Sequence, residues 1–163
     1  MKLPKVILIF VVSITSSDCI AQSQPFTSLL GEWIGKGTAS GVGVADSVSF
    51  ERVDFSDQHI RFKLKEIGGQ LEMEGFFYTL GNGAYEFYEF NNGTWPTRIF
   101  KGSFDEDRFN LIEETEDRKI LLEIILINEH VFHLKETFLM KDGELLDEPE
   151  LFVNELFSRI TRE

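Results

Sequence analysis

The chain has a single cysteine, Cys19, in 163 residues. No disulfide can form within it, and no Cys-based metal cluster or thiol-relay chemistry is open to it. Histidine is nearly as scarce, with three residues. His130 and His133 are three apart in a strand-like stretch, so they face opposite sides and cannot chelate one ion together. His59 shares a face with Arg61, Lys63 and Lys65, which places it in solvent. A zinc site needs three or four ligands, and this chain does not gather them. Basic residues are outnumbered, 16 against 28 acidic, for a net charge of −12. Nucleic acid and anionic membrane surfaces repel such a chain. A cationic partner suits it, and so does plain solubility outside the cytoplasm. No Gly-rich phosphate loop opens a helix, and no G-x-S-x-G elbow is present. The acidic runs "EETED" and "ELLDEPE" lack the spacing of a calcium loop and read as solvated turns. No cofactor is implied.

Long apolar runs are missing too. The longest stretch, Val6 to Val12, is far short of the roughly 20 residues a membrane span requires. It follows Lys2 and Lys5 and precedes a small, polar tail. That is the build of a secretory signal peptide, with cleavage expected after Ala21 at Cys19-Ile20-Ala21. Cys19 as a lipoprotein attachment site is disfavoured by Asp18 just before it. The division is therefore 1–21 signal peptide and 22–163 a single domain. Export is expected, to the periplasm or the extracellular space, and the "AQSQPF" junction favours the periplasm. Asn92-Gly93-Thr94 is a glycosylation acceptor only in a eukaryotic secretory route.

What is abundant is phenylalanine, 16 residues. Each buried ring removes a large apolar area from water, so a core forms without disulfides. "SQPFTSLLG" predicts one helical turn, capped by Ser23 and ended by Gly31, with Phe26, Leu29 and Leu30 on one face. A single turn is unstable alone and must dock on apolar surface. Everything after it alternates with period two. In "HIRFKLKEI", Ile60, Phe62 and Leu64 alternate with basic residues. In "QLEMEGFFYTL", Leu71, Met73 and Phe77 alternate with Glu72 and Glu74. About ten such strands follow one another through short turns, of which Gly81-Asn82-Gly83 is the strongest hairpin signal. Lys141-Asp142-Gly143 opens an expected polar loop, 141–150. A meander of this length favours a closed barrel, which leaves no exposed edge. The fold class is all-β: a single up-and-down antiparallel barrel of about ten strands with a short N-terminal helical plug.

A short turn followed by Gly-x-Trp at the first strand resembles the lipocalin superfamily. The longer form, Gly31-Glu32-Trp33-Ile34-Gly35-Lys36-Gly37, is more similar to nitrobindin-related, ten-stranded lipocalin-like barrels. The resemblance implies that the turn plugs one barrel end, that Trp33 sits on the plug, and that Arg159 or Arg162 covers Trp33 through a cation–π contact. Fatty-acid-binding proteins carry a helical lid after the first strand, and only "SGVG" is available here. Nitrobindins hold haem through a histidine near the C-terminal end of the barrel. This chain has none beyond His133, so the haem role does not carry over.

Alternation gives an expected cavity lining of Trp33, Phe62, Phe77, Phe132 and Phe138. With Asn82-Gly83 as a two-residue turn, Phe77 pairs with Tyr88 and Thr79 with Glu86. Tyr88 and Glu86 then also point inward. Glu136 shares a face with Phe132, Leu134 and Phe138, and a buried acid needs a partner. Arg98 and Arg159 are the candidates, and Arg159 joins Glu86 and Glu136 as an expected polar handle. The outward face of the hairpin would carry Phe76, Tyr78, Leu80, Tyr85 and Phe87, an apolar patch suited to a homodimer or partner contact. The expected function is non-catalytic binding of a small, largely apolar molecule. The alternatives are a structural or interaction barrel filled by its own side chains, and a hydrolase or isomerase using a buried carboxylate.

Overall fold

In the computed structural model the described residues are 26–53, 59–68, 72–90 and 97–161. The expected signal peptide, Cys19, Ser23, Leu71, Asn92 and Arg162 lie outside them. After one helical turn, α1 (Phe26–Leu29), ten strands run in order: β1 (Gly31–Ala39), β2 (Val42–Arg52), β3 (His59–Glu66), β4 (Glu72–Gly81), β5 (Ala84–Phe90), β6 (Arg98–Asp105), β7 (Arg108–Glu114), β8 (Lys119–Asn128), β9 (Val131–Lys141) and β10 (Glu144–Arg159). Each strand pairs with its sequence neighbours, and β10 pairs with β1. The result is a closed antiparallel up-and-down barrel. Closure satisfies every ladder and removes both edges.

The meander sorts the connections to two ends. One end gathers the start of β1, the β4–β5 hairpin and the end of β10, and α1 closes it. Phe26 and Leu29 are fully buried there. The Phe26 ring meets Phe77, Tyr85 and Phe109 with centroids 5.8, 5.3 and 5.7 Å away. This aromatic contact supplies the apolar surface that a lone turn needs. The other end, with the turns after β1, β7 and β9, is the mouth. The β1–β2 turn there is only Ser40-Gly41, so no lid is inserted between these strands.

Two expectations change at this level. The 141–150 segment is not a loop: β10 begins at Glu144 directly after a tight turn, with Gly143 at φ 80°. Its first half leaves the regular ladder at two register shifts, between Leu145 and Glu150 and between Leu151 and Val153. The β4–β5 ladder is also not continuous. Asn82-Gly83 is the turn and Gly81 faces Ala84, but Thr79 then faces Tyr85 because Leu80 is bulged out. Gly81 takes φ 83°, a conformation side chains resist. One extra residue in one strand reverses the facing of every residue beyond it. Tyr85 and Phe87 are therefore buried, not on the outer wall. Phe87 stacks on Phe77 at 4.4 Å. Phe76, Tyr78, Tyr88 and Phe90 make the outward aromatic cluster instead.

Candidate ligand cavity

The glycines around Trp33 build the cavity floor and one wall. Trp33 is buried, its Nε1 donates to the Leu29 carbonyl at 2.8 Å, and its ring meets Phe132 at 4.9 Å. Gly35 and Gly37 follow on the same inward face. Gly35 faces Phe157 across the β1–β10 ladder. A Cβ at Gly35 would overlap the Phe157 ring, so its absence lets that ring lie across β1 and stack on Phe132 at 4.7 Å. At Gly37 a Cβ would strike the Asn154 carbonyl and the Glu155 Cα. The same device recurs between β3 and β4, where Phe62 lies across Gly75.

Above this floor is a cavity of about 420 Å³. Its lower part is aromatic, with Phe50, Phe62, Phe77, Phe87, Phe132 and Phe157 around it. Its upper part, toward the mouth, is polar. Arg98 donates to Glu89 at 3.3 Å, makes a shorter bond to Glu136, and lies 3.8 Å from Glu113. Arg118 holds Glu113 from outside with two bonds, at 2.9 and 2.6 Å. Burial pushes the Glu89 carboxyl up to about 7, against the pull of Arg98.

A second polar group stands beside this one. Asp46 on β2 and Glu155 on β10 are each 5% exposed and both line the cavity. β1 lies between them, with Asp46 opposite Gly35 and Glu155 opposite Gly37. With no side chain on β1 in the way, the two carboxyls hydrogen-bond to each other. Burial, then the bond to Asp46, pushes Glu155 up to about 8, and burial likewise raises Asp46. Two carboxyls in such contact share one proton.

The expected lining residues divide as follows. Phe62, Phe77, Phe132 and Glu136 line the cavity, with Trp33 buried at its floor. Arg98 is the partner of Glu136. Phe138 is half-buried and stacks on Phe152 at 4.1 Å, beside the cavity. Glu86 and Tyr88 are corrected to the outer wall by the Leu80 bulge. There Tyr88 donates to Glu86 at 2.6 Å and Lys101 pairs with Glu86 at 2.9 Å, which together hold the Glu86 carboxyl below its usual range. Arg159 is corrected too. It lies over Trp33 at 4.3 Å, the contact implied by the lipocalin resemblance, and donates to the carbonyls of Leu30, Ser28 and Glu129. It fastens the plug at the closed end, away from the cavity's polar part.

The sequence reading missed Asp46, Glu89 and Glu155. The signal was present: each is an acid on an otherwise apolar alternate face. Asp46 precedes Val48 and Phe50, and Glu155 sits between Val153 and Phe157. Glu89 follows Tyr85 and Phe87, and only the bulge hides it.

The fold is a closed ten-stranded antiparallel meander around an internal cavity, plugged at one end by a helical turn. Among solved structures the chain is similar to the S-type phycobiliprotein lyase CPES from Guillardia theta, with a TM-score of 0.56 and 10% identity. That match covers 85% of this chain and 92% of the other. A redesigned β-barrel matches with a TM-score of 0.44 and 10% identity, over 85% of this chain and 96% of that one. No protein-family model and no curated protein matches the chain.

Proposed function

We propose that this protein is an exported, non-catalytic carrier that binds a small, largely apolar molecule inside its barrel. The observation that supports this reading most is the 420 Å³ cavity between an aromatic floor and a polar mouth layer. Ligand pockets are of this size and combine an apolar body with a few convergent polar groups. A barrel filled only by its own side chains has no need of a layer of buried carboxyls around an internal cavity. The likeness to a phycobiliprotein lyase supports the barrel architecture and is consistent with a ligand-binding interior. We place the chain beside the nitrobindin-related barrels on the Gly31–Gly37 motif and the strand count, without their haem role.

Protein purified from its native compartment, extracted with organic solvent and read by mass spectrometry, tests the proposal. A reproducible apolar component is expected. An apolar fluorescent probe should bind with roughly micromolar affinity. Phe132→Ala should weaken that binding about tenfold while leaving the far-ultraviolet dichroism unchanged, because the ring contributes area to ligand and core alike. No extract component and no probe binding would leave the side-chain-filled barrel as the better account.

A further inference from the structure

The polar layer of the cavity is not balanced. Asp46, Glu66, Glu89, Glu136 and Glu155 line it, and Arg98 is the one cation among the described residues that line it. Arg98 is already engaged by Glu89 and Glu136. Among the described residues, Asp46 Oδ1 and Glu155 Oε2 are buried oxygens that take no hydrogen bond from outside the carboxyl pair. Buried acceptors are almost always paired, and leaving one unpaired costs free energy. These two sit on neighbouring carboxyls that border the same cavity as the Phe157 and Phe132 rings. Two acceptors in a cavity with surplus negative charge are best served by a group that donates several N–H bonds and bears positive charge. A primary ammonium has those properties.

We propose that the ligand of this cavity is a protonated amine on an apolar body, its nitrogen held between Asp46 and Glu155 and its body on the aromatic floor. This rests on the binding function proposed above. The glycines of β1 then serve recognition as well as packing, since they allow the two carboxyls to meet. Without the amine the pair shares one proton. An ammonium entering between them displaces that proton to solvent, and both carboxylates accept from the cation. Glu136 and Glu89 stay with Arg98, which leaves Asp46, Glu155 and, beside Asp46 on β3, Glu66 to face the amine.

Three probes with one carbon skeleton decide the matter: phenylbutylamine, phenylbutanol and phenylbutyrate, titrated calorimetrically into the full purified chain near neutral pH. The amine should bind at least about tenfold tighter than the alcohol, as a charge-assisted bond in a buried site implies. The carboxylate should bind weakest. Repeating the amine titration in buffers of different ionisation enthalpy should show proton release. Asp46→Asn and Glu155→Gln, checked for fold by circular dichroism, should abolish the amine's advantage and leave the alcohol within about twofold. If the alcohol binds as tightly as the amine, the cation inference is wrong and the apolar cavity stands. If the carboxylate binds tightest, Arg98 is the recognition group and the inference is equally wrong. If none of the three binds, the binding function itself falls. The comparison on the unmodified protein decides the case even where a variant does not fold.

Discussion

Arg159 shows how one side chain fixes a whole element. Its guanidinium covers Trp33 and donates to Ser28 at 2.7 Å and Glu129 at 2.7 Å, with a third bond to Leu30. The plug is one turn long and contributes almost nothing to its own stability. Arg159→Ala should therefore cost about 2 kcal/mol in urea unfolding, from charged hydrogen bonds and the cation–π contact together. Arg159→Lys should recover less than half, because an ammonium lacks the planar fork that spans three carbonyls. Gly37 is a second decisive position. A Cβ there meets backbone of β10, which cannot rotate away, whereas at Gly35 it meets the Phe157 ring. Gly37→Ala should cost more than Gly35→Ala, and the latter about 1–3 kcal/mol, as overpacking usually does. Equal losses in the same unfolding assay would contradict this account of the motif.

Among the elements, the β4–β5 hairpin separates what the sequence makes legible from what it does not. Strand count, meander order and plug follow from period-two alternation and turn residues, because both are local. The Leu80 bulge is not local: Leu-Gly-Asn-Gly can close a hairpin with or without it, and the outcome depends on which face of β5 fills the core better. Phe87 fills it, stacked between Phe77 and Phe100 at 4.4 and 5.6 Å. Tyr88 and Glu86 satisfy each other outside. The other aromatic assignments, Phe62, Phe77 and Phe132, were readable because no bulge precedes them on their strands. The direct check is a pair of substitutions. Phe87→Ser should destabilise by about 3–5 kcal/mol, as loss of a core Phe does. Tyr88→Ser should cost under about 1 kcal/mol, as at an outer-wall position. The reverse order would restore the continuous ladder.

The whole molecule is acidic, and its acidity has two registers, a solvated surface and a buried layer. Glu89 and Glu155 are raised to about 7 and about 8 from an ordinary 4.5. Below 4.5 they are neutral whether the chain is folded or not, and they cost nothing. From 4.5 upward the unfolded chain loses these protons first, so stability falls as pH rises through about 8. The thermal midpoint should be higher at about pH 5 than at about pH 9, and Glu155→Gln should flatten the slope. A midpoint that rises over the same range would contradict the buried layer. The seam between β1 and β10 carries a different consequence, one of time. Trp33 faces Arg159, and Arg159 reaches Leu30 across 129 positions of sequence. Neighbouring hairpins can zip early, but the seam and the plug must wait for the last strand to arrive. Contacts so distant make folding slow, on the order of milliseconds to seconds. In a Trp95→Phe variant, which leaves one indole, Trp33 fluorescence should change in the last refolding phase. A nascent chain thus stays an open, unlocked ribbon until β10 has emerged, and only then can the two ends of the sheet meet.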